Sequence, residues 1–520
     1  MTDTPETKFV KDYEPGQKTR VELKNAKIVD VENGEYFASG VSIVLEGGKI
    51  AMMPGFHGES VEFQPDYTID LGGKAVIPSL FNTHCHMVMA TPTMLSSFKD
   101  LKLAKKHYDR QIAKTMAECL AHGITNIRDA YTEDQRTRDG IINRIASGEI
   151  PGPRVQKAIV VGPPGSYLAE KYGFGMKIMR SAIGIPTLDH FHPSSGIMEF
   201  PVDANEQQVR DAVDRAIDER GAEVIKIGEQ LENMTTFKAD SVIMKIEQME
   251  ALTDQARKRG LQSTIHHVSV ATFRRAVKAG VSSLAHFAFD DKLDQEDIDA
   301  FISADCIIEP TLTVAYDQCF KIEGNPFFNA KGLKILTQFR DKICTFENLG
   351  RDFYIEELRE SLRKATKKLA TEKFKMMGLI NLKKFYLYYL PVVTNGFENF
   401  CNLYEAGGTM ALANDGGVPP GTPAMMGYEL RMFDLLLDKF ADQGNLKGID
   451  AVRIGTINSA RSVGLDRDFG TIEPGKIGDL VVIDGDPLVD ASLVGGRAAA
   501  LFKDGELVIN NCGLQVKKEA

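Results

Sequence analysis

The 520-residue chain carries 62 Lys and Arg against 72 Asp and Glu, a formal net charge of -10. Its basic residues are scattered, which argues against the basic surface that nucleic acids and anionic membranes require. A chain of this length predicts one large enzyme body with a smaller attached domain.

The targeting and redox signals indicate a soluble protein in a reducing compartment. The first residues, MTDTPETKFVKDYEPG, have no cationic start followed by an apolar stretch, and no later run approaches the roughly 18 to 20 apolar residues that span a bilayer. The seven cysteines are dispersed and form no Cys-x-x-Cys pair. We expect a cytoplasmic protein with reduced thiols.

The two ends of the chain share a strand-rich pattern. Residues 20–78 contain short apolar or alternating segments, such as VELKNAKIVDV and GVSIVLEGGKI, separated by Gly and Asn turns. Turn-rich strands return after residue 468 in GTIEPGKIGDLVVIDGDP. We therefore predict that residues 1–78 and 467–520 together form one small β-sandwich domain.

The long middle, residues 79–466, has a different rhythm. Compact apolar runs such as ITNIRDA, AEVIKIG and SSLAHFA alternate with amphipathic helical patterns such as EQMEALTDQARKRG. About eight such units predict an α/β fold with a (β/α)8 TIM-type barrel.

Residues 317–395 are too long for one such unit. They contain apolar positions at helical spacing between residues 355 and 369, followed by the aromatic cluster KKFYLYYL. We predict an inserted helical subdomain between the seventh and eighth strands, on the face where barrel active sites lie. The pattern leaves open whether this insert is a lid.

The stretch FNTHCHMVMA places two histidines one residue apart. In a strand, residues i and i+2 point to the same side, so His84 and His86 can reach one metal ion while Cys85 faces away. Packing in the core explains a lone pair of histidines equally simply.

Further candidates stand at the ends of other predicted strands. His266 closes LQSTIH, His286 closes SSLAH one β/α unit later, and Asp415 ends GTMALAND. Imidazole and carboxylate suit zinc and similar divalent ions. Lys226, within the apolar run VIKI, would have to bury an ammonium unless it is paired or chemically altered. Pairing with Glu229, or extension to the barrel mouth, is the simpler alternative.

Seven segments in order resemble the signatures of the amidohydrolase superfamily, and most closely its prolidase-like, imidazolonepropionase-like and ochratoxinase branch. They are VIPSLFNTHCH, AHGITNIRDA, GAEVIKI, ARKRGLQSTIHH, AGVSSLAH, GTMALAND and GTIEPGKIGDLVVIDGDP. The resemblance covers most of the chain except the insert.

The resemblance implies a binuclear centre of two divalent ions, most simply zinc. It assigns His84 and His86 to the more buried ion, and Lys226, carboxylated by CO2, to a bridge between the two ions. It assigns His266 and His286 to the second ion and Asp415 to the eighth-strand ligand and catalytic aspartate.

Two features limit what can be carried over from the family, and three further histidines fall outside it. The family usually has Pro-Gly before the first strand, where this chain has Pro78 and Ser79, and often a second histidine where this chain has Val268. We interpret His267 as structural. His190 and His192, in the loop LDHFHPSSG, are candidate substrate contacts, with a second metal site or a solvated loop as alternatives.

The residues and the resemblance together predict a metal-dependent amidohydrolase, an amidase or dipeptidase that uses a metal-bridging hydroxide. Its small-molecule substrate would be an N-acyl amino acid, a dipeptide or an aromatic amide. A cyclic-amide hydrolase or a lactonase fits the same site, and a mononuclear deaminase or a barrel that has lost its chemistry are the rival hypotheses. We expect a homo-oligomer with no nucleic-acid or membrane partner.

Overall fold

The computed structural model describes residues 7–10, 16, 18–56, 63–89, 98–170, 188–232, 238–317, 353–359, 388–389, 391–418, 421–438 and 445–519. Within these ranges, the strands form three sheets, one central and parallel, the other two drawn from the chain ends. The central sheet carries the candidate site.

The amino-terminal segment supplies seven strands. They are β1 (Val21–Lys24), β2 (Lys27–Asp30), β3 (Glu35–Tyr36), β4 (Ile43–Glu46), β5 (Lys49–Met52), β6 (Tyr67–Asp70) and β7 (Ala75–Pro78). A single residue, Ser79, separates β7 from the first strand of the central sheet. This short link ties the end sheets directly to the body that carries the site.

Nine strands form the central sheet. They are β8 (Leu80–Cys85), β9 (Ile124–Asp129), β10 (Arg154–Gly162), β11 (Ile197–Glu199), β12 (Val224–Gly228), β13 (Ser263–His266), β14 (Ser283–Ala285), β15 (Ile307–Glu309) and β16 (Thr409–Met410). Eight of them run parallel in the order β8-β9-β10-β12-β13-β14-β15-β16, with β11 beside β10. This order confirms the predicted α/β fold with a parallel, barrel-like sheet.

The two ends of the central sheet meet through the segment that follows β16. The backbone N–H of Thr83 donates to the Leu412 carbonyl at 2.9 Å, and that of Asp415 donates to the His84 carbonyl at 2.9 Å. The N–H of His86 donates to the Gly416 carbonyl at 2.7 Å. These bonds bring the last strand against the first and place Asp415 beside the two histidines.

Helices connect the strands and cover the sheet. They are α1 (Phe98–Lys106), α2 (Tyr108–Ala121), α3 (Gln135–Ala146), α4 (Glu206–Asp218), α5 (Ile246–Lys258), α6 (Val270–Lys278), α7 (Gln295–Ser303), α8 (Leu312–Asp317), α9 (Phe397–Glu405), α10 (Met426–Leu437), α11 (Gly448–Gly455) and α12 (Ile457–Ser462). Helix α4 shows why they form: Asn205 and Gln208 make a capping box at its start, and Val209, Val213 and Ala216 bury one face.

Strands from both chain ends combine in the two remaining sheets. After the barrel come β17 (Leu480–Ile483), β18 (Ala500–Lys503), β19 (Glu506–Asn510) and β20 (Val516–Lys518). One sheet has the order β20-β6-β1-β4-β5 and the other β19-β18-β17-β7-β2-β3. One apolar cluster holds Leu23 and Ile43 of the first sheet with Val76 and Phe502 of the second. The predicted β-sandwich and the boundaries 1–78, 79–466 and 467–520 stay predictions.

Most of the predicted insert 317–395 lies outside the described residues. The short part 353–359 packs on α2, where Gln111 Nε2 donates to the Phe353 carbonyl at 2.8 Å and Gln111 Oε1 accepts from the Ile355 N–H at 3.0 Å. The end of the insert is a π-helical turn, Val392–Gly396, a local form that is frequent at functional sites.

The cysteines of the described residues are free thiols, as the sequence predicts. They are Cys85, Cys119, Cys306, Cys401 and Cys512. No helix in the described ranges has the length and apolar character needed to cross a membrane.

Candidate metal centre

The six residues predicted to bind metal all line one cavity at the carboxyl ends of the parallel strands. His84 lies in β8 with His86 directly after it, Lys226 lies in β12, and His266 is the last residue of β13. His286 follows β14, and Asp415 lies in the segment after β16. The cavity has a volume of about 300 Å³. Six side chains from five separate segments of the chain therefore line one cavity.

The tightest group is formed by two histidines and the aspartate. Asp415 Oδ1 lies 2.9 Å from His86 Nε2 and 3.4 Å from His84 Nε2. One possible ligand atom from each of these three residues lies within 4.8 Å of the others, a spacing that allows a shared cation.

The other two histidines join this group through ring contacts. The ring centroids of His84 and His286 are 5.1 Å apart, and those of His286 and His266 are 4.6 Å apart. All four imidazoles therefore form one connected cluster.

Each imidazole has a protein group facing one of its two ring nitrogens. His86 Nδ1 donates to the Tyr131 carbonyl at 3.3 Å, His266 Nε2 donates to Gln230 Oε1 at 2.7 Å, and His286 Nδ1 is hydrogen-bonded to Thr311 Oγ1 at 2.7 Å. His84 Nδ1 faces Glu309 Oε2 at 3.8 Å. Such outer partners fix the tautomer of a metal-binding histidine and leave its second nitrogen as the ligand atom.

The charge states of these groups also suit a cation. Burial lowers the pKa of His266 and His286 well below the usual value, so both imidazoles are neutral with a lone pair to donate. Burial alone would raise the pKa of Asp415, but its contacts with the imidazoles of His84 and His86 outweigh burial and hold that pKa well below its usual range.

Lys226 is buried in the wall of the cavity, with 1 % of its surface exposed. Its Nζ makes no hydrogen bond to any described residue. Burial, with a smaller contribution from the charge of Arg128, lowers the pKa of Lys226 to about 7. The alternative partner, Glu229, binds Arg275 instead, with Oε1 at 2.7 Å from Arg275 Nε. The lysine is therefore a buried, easily neutralised amine with no hydrogen bond to the described residues, in the wall of the cavity that the histidines line.

A buried ion pair lies directly beneath the cluster. Arg128 of β9 and Glu309 of β15 are both fully buried and hydrogen-bonded to each other, and Ser462 donates to the same carboxylate. The arginine charge lowers the pKa of Glu309 to about 2 although burial opposes this shift, so the carboxylate is ionised. Glu309 therefore presents a fixed negative charge to His84.

Backbone strain is concentrated around the same cavity. Seven non-glycine residues of the described chain have a positive φ, and four of them, Leu168, His286, Thr311 and Asp415, line the cavity. Left-handed backbone is costly for such residues and persists mainly where function requires it. Both His286 and Asp415 are thus held in place by unusual local geometry.

The side chains around the cavity suit divalent metal ions, since four imidazoles, a carboxylate and a buried lysine without a hydrogen-bond partner among the described residues line one space. The sequence pattern of the amidohydrolase family matches residues 75–508. The chain belongs to the amidohydrolase family. Members of this family generally use divalent metal ions. Membership confirms the predicted family and the predicted class, a hydrolase acting on carbon–nitrogen bonds.

Solved structures similar to this amidohydrolase share its fold. A Xaa-Pro dipeptidase with bound methionine is 19% identical, with a TM-score of 0.61 over 95% of this chain and 100% of that chain. A. niger ochratoxinase is 16% identical with a TM-score of 0.60 over 95% of this chain and 96% of that chain. Molinate hydrolase is 17% identical with a TM-score of 0.62 over 95% of each chain.

Curated relatives of the amidohydrolase match over a short stretch only. Adenine deaminase 1 of Desulfotalea psychrophila is 38% identical over 68 residues, which is 13% of this chain and 10% of that protein. Adenine deaminase of Mesorhizobium japonicum is 33% identical over 72 residues, 14% of this chain and 12% of that protein. The amidohydrolase thus spans about a tenth of the length of these relatives.

The other histidines singled out in the sequence lie elsewhere in the amidohydrolase. His190 is hydrogen-bonded through Nδ1 to Glu199 at 2.7 Å, and His192 Nδ1 accepts from the Ser194 N–H at 3.0 Å. Neither is among the described residues that line the cavity, and their role in substrate binding stays a prediction. His267 is buried and bonded to the Ala285 carbonyl at 2.8 Å, in agreement with a structural role.

Several residues around the site of this amidohydrolase were not predicted from the sequence. Arg128 in ITNIRDA and Glu309 in CIIEPTL are charged residues within short apolar strands. The same signal drew attention to Lys226 and could have found them. Tyr167, which stacks on His266 with ring centroids 4.2 Å apart, carried no comparable signal because it lies in a loop.

Proposed function

We propose that this chain is a binuclear metal-dependent amidohydrolase that cleaves an amide or peptide-like C–N bond. The observation that carries the proposal is the position of Lys226, whose unpartnered buried Nζ lines the same cavity as the four histidines and Asp415. Carboxylation by CO2 would turn this costly buried amine into an anionic oxygen ligand that can bridge two ions.

The proposed ligand sets follow the grouping of the side chains. His84 and His86 would hold the more buried ion, His266 and His286 the second ion, with Lys226 between them and Asp415 beside the first pair. When bound, the two ions, most simply zinc, supply an activated water and polarise the substrate carbonyl.

Asp415 would move the proton. Its carboxylate is ionised, so it can accept a proton at Oδ1 from the attacking water and pass it to the leaving nitrogen as the C–N bond breaks. The products are a carboxylic acid and an amine. Its short contacts to His84 and His86 keep the carboxylate oriented while it does so.

Replacement of Asp415 tests the assignment. We expect Asp415→Asn to lose at least about a hundredfold in kcat, because the amide cannot accept the proton. Metal analysis of the same sample should still find metal, since five ligands remain. Full activity in Asp415→Asn contradicts the assignment.

A mononuclear deaminase is the second candidate, favoured by the short matches to adenine deaminases. It needs no bridging lysine, and Lys226 therefore argues against it. Ammonia release from adenine by protein holding one ion per chain would establish it. A lactonase or cyclic-amide hydrolase remains compatible with the same ligands, and the cytoplasmic location and homo-oligomeric assembly remain proposals.

A further inference from the structure

The cavity beside the proposed metal centre has an aromatic and aliphatic wall. Its described lining includes Tyr131, Tyr167, Phe287, Phe289 and Tyr389, together with four valines. Among these described lining residues, Lys226 is the sole lysine or arginine, and the proposed function engages it as a metal bridge. The described wall therefore offers ring faces and methyl groups to a substrate.

The aromatic groups lie on several different segments. Tyr167 stacks on His266 with an interplanar angle of 26°, so a flat apolar surface adjoins one proposed ligand. Phe289, after β14, contacts Tyr389 near the end of the insert, with ring centroids 5.8 Å apart. The KKFYLYYL cluster thus contributes at least one ring, that of Tyr389, to the cavity. Packing within the insert alone would not require a ring at this position.

Acidic side chains lie next to some of these aromatic groups. The Tyr131 hydroxyl donates to Glu133 Oε2 at 3.3 Å. Burial, and then Glu232 and Asp290, raises the pKa of Tyr388, whose ring contacts Tyr389. Away from the proposed ions, a carboxylate on the substrate would face acidic and apolar side chains of the described wall, which is unfavourable.

We propose that the substrate of this site is a neutral amide with an aromatic or branched apolar group beside the scissile bond, and with no carboxylate there. This proposal rests on the proposed amide hydrolysis, in which water adds to the carbonyl carbon and the C–N bond breaks. It favours aryl amides over N-acyl amino acids and dipeptides.

A matched pair of anilides tests the proposal on the metal-loaded, full-length protein. 4-Acetamidobenzamide and 4-acetamidobenzoate differ in one neutral or anionic substituent. We expect kcat/KM to be about tenfold or more higher for the benzamide, since the described wall away from the ions gives a carboxylate no cationic side chain to pair with. Equal or faster hydrolysis of the benzoate overturns the proposal, as does hydrolysis of dipeptides with no turnover of either anilide.

The proposed function fails in a different way. If metal-loaded protein hydrolyses no anilide, dipeptide or N-acyl amino acid, then the amide hydrolysis itself is wrong and the substrate proposal falls with it. The two failures are thus distinguished by whether any C–N bond is cleaved.

Substitution of the aromatic wall gives a second test. We expect Phe289→Leu and Tyr389→Leu each to raise KM for 4-acetamidobenzamide several-fold with a smaller change in kcat, because a ring contact is lost. Phe37→Leu is the matched control, since Phe37 packs on Phe56 in the end sheets at 5.1 Å. An unchanged KM in both wall variants overturns the proposal.

Discussion

Glu309 links His84 to a buried arginine through side chains from three different strands. Its Oε2 faces His84 Nδ1 at 3.8 Å, and its Oε1 accepts from Arg128 and Ser462. A carboxylate at this position favours the imidazole tautomer that carries its proton on Nδ1, which leaves Nε2 toward Asp415. The ion pair thus orients a ligand, in addition to satisfying two buried charges.

Glu309→Gln tests this role. We expect the affinity for the more tightly bound metal to fall about 10- to 100-fold, the usual effect of losing an outer-shell partner. We also expect a loss of about 3 kcal/mol in unfolding free energy, because Arg128 is left buried without its counter-charge. Chelator competition and denaturant unfolding of the metal-free protein measure the two effects separately.

Asp479→Asn provides the control, since Asp479 is also buried and pairs with an arginine, Arg154, at 2.6 Å, outside the candidate site. It should lower stability without changing metal affinity. If chain stability is impaired too far, the double variant Arg128→Gln/Glu309→Gln removes both charges and keeps a polar pair. Unchanged metal affinity in both Glu309 variants would show that the pair is purely structural.

At the scale of elements, the strand ends and the loops that follow them shape the site. The end of β12 lies so close to the loop that follows β10 that a Cβ on Gly228 would stand 2.0 Å from the Tyr167 carbonyl oxygen. Only glycine allows this approach. Gly228 therefore lets the Tyr167 ring reach the face of His266.

Gly228→Ala should push the Tyr167 loop away from the strand. We expect a loss of about 1–3 kcal/mol in unfolding free energy from the overpacking, and a raised KM for aromatic amides. Gly140→Ala in α3 is the control, because a Cβ there meets nothing within 4 Å and alanine favours a helix. Equal stability and KM in both variants would contradict this role for Gly228.

The strands and the residues at their ends were predictable from the sequence only in part. Apolar strands alternating with amphipathic helices predicted the parallel sheet. Polar residues at strand ends indicated five of the six residues that line the cavity, because parallel strands place their carboxyl ends on one face. Lys226 was indicated instead by its position within an apolar run. The contacts of Glu309 were not predictable: Arg128 lies 181 residues away in sequence, and the strand order brings the two together. The last strand is also shorter than GTMALAND suggested, since only Thr409 and Met410 pair as a strand.

At the scale of the whole molecule, the proposed binuclear mechanism requires the cavity to hold two ions. Closure of the sheet places Asp415 against His84 and His86, while β12 to β14 bring Lys226, His266 and His286 to the same space. In the proposed centre, a carboxylated Lys226 would link the two halves, because it would supply an oxygen ligand shared by both ions. The binuclear proposal therefore makes Lys226 the decisive residue.

The most direct test is the metal content of the wild-type chain and of Lys226→Met, each loaded with zinc in the presence of bicarbonate. The binuclear proposal predicts two ions per chain in the wild type, and this loading should depend on bicarbonate. It predicts one ion or fewer per chain in Lys226→Met. Methionine suits the buried position, and thermal unfolding of the metal-free proteins checks that both are folded. The same metal content in the two folded proteins, or one ion per wild-type chain, would contradict the account.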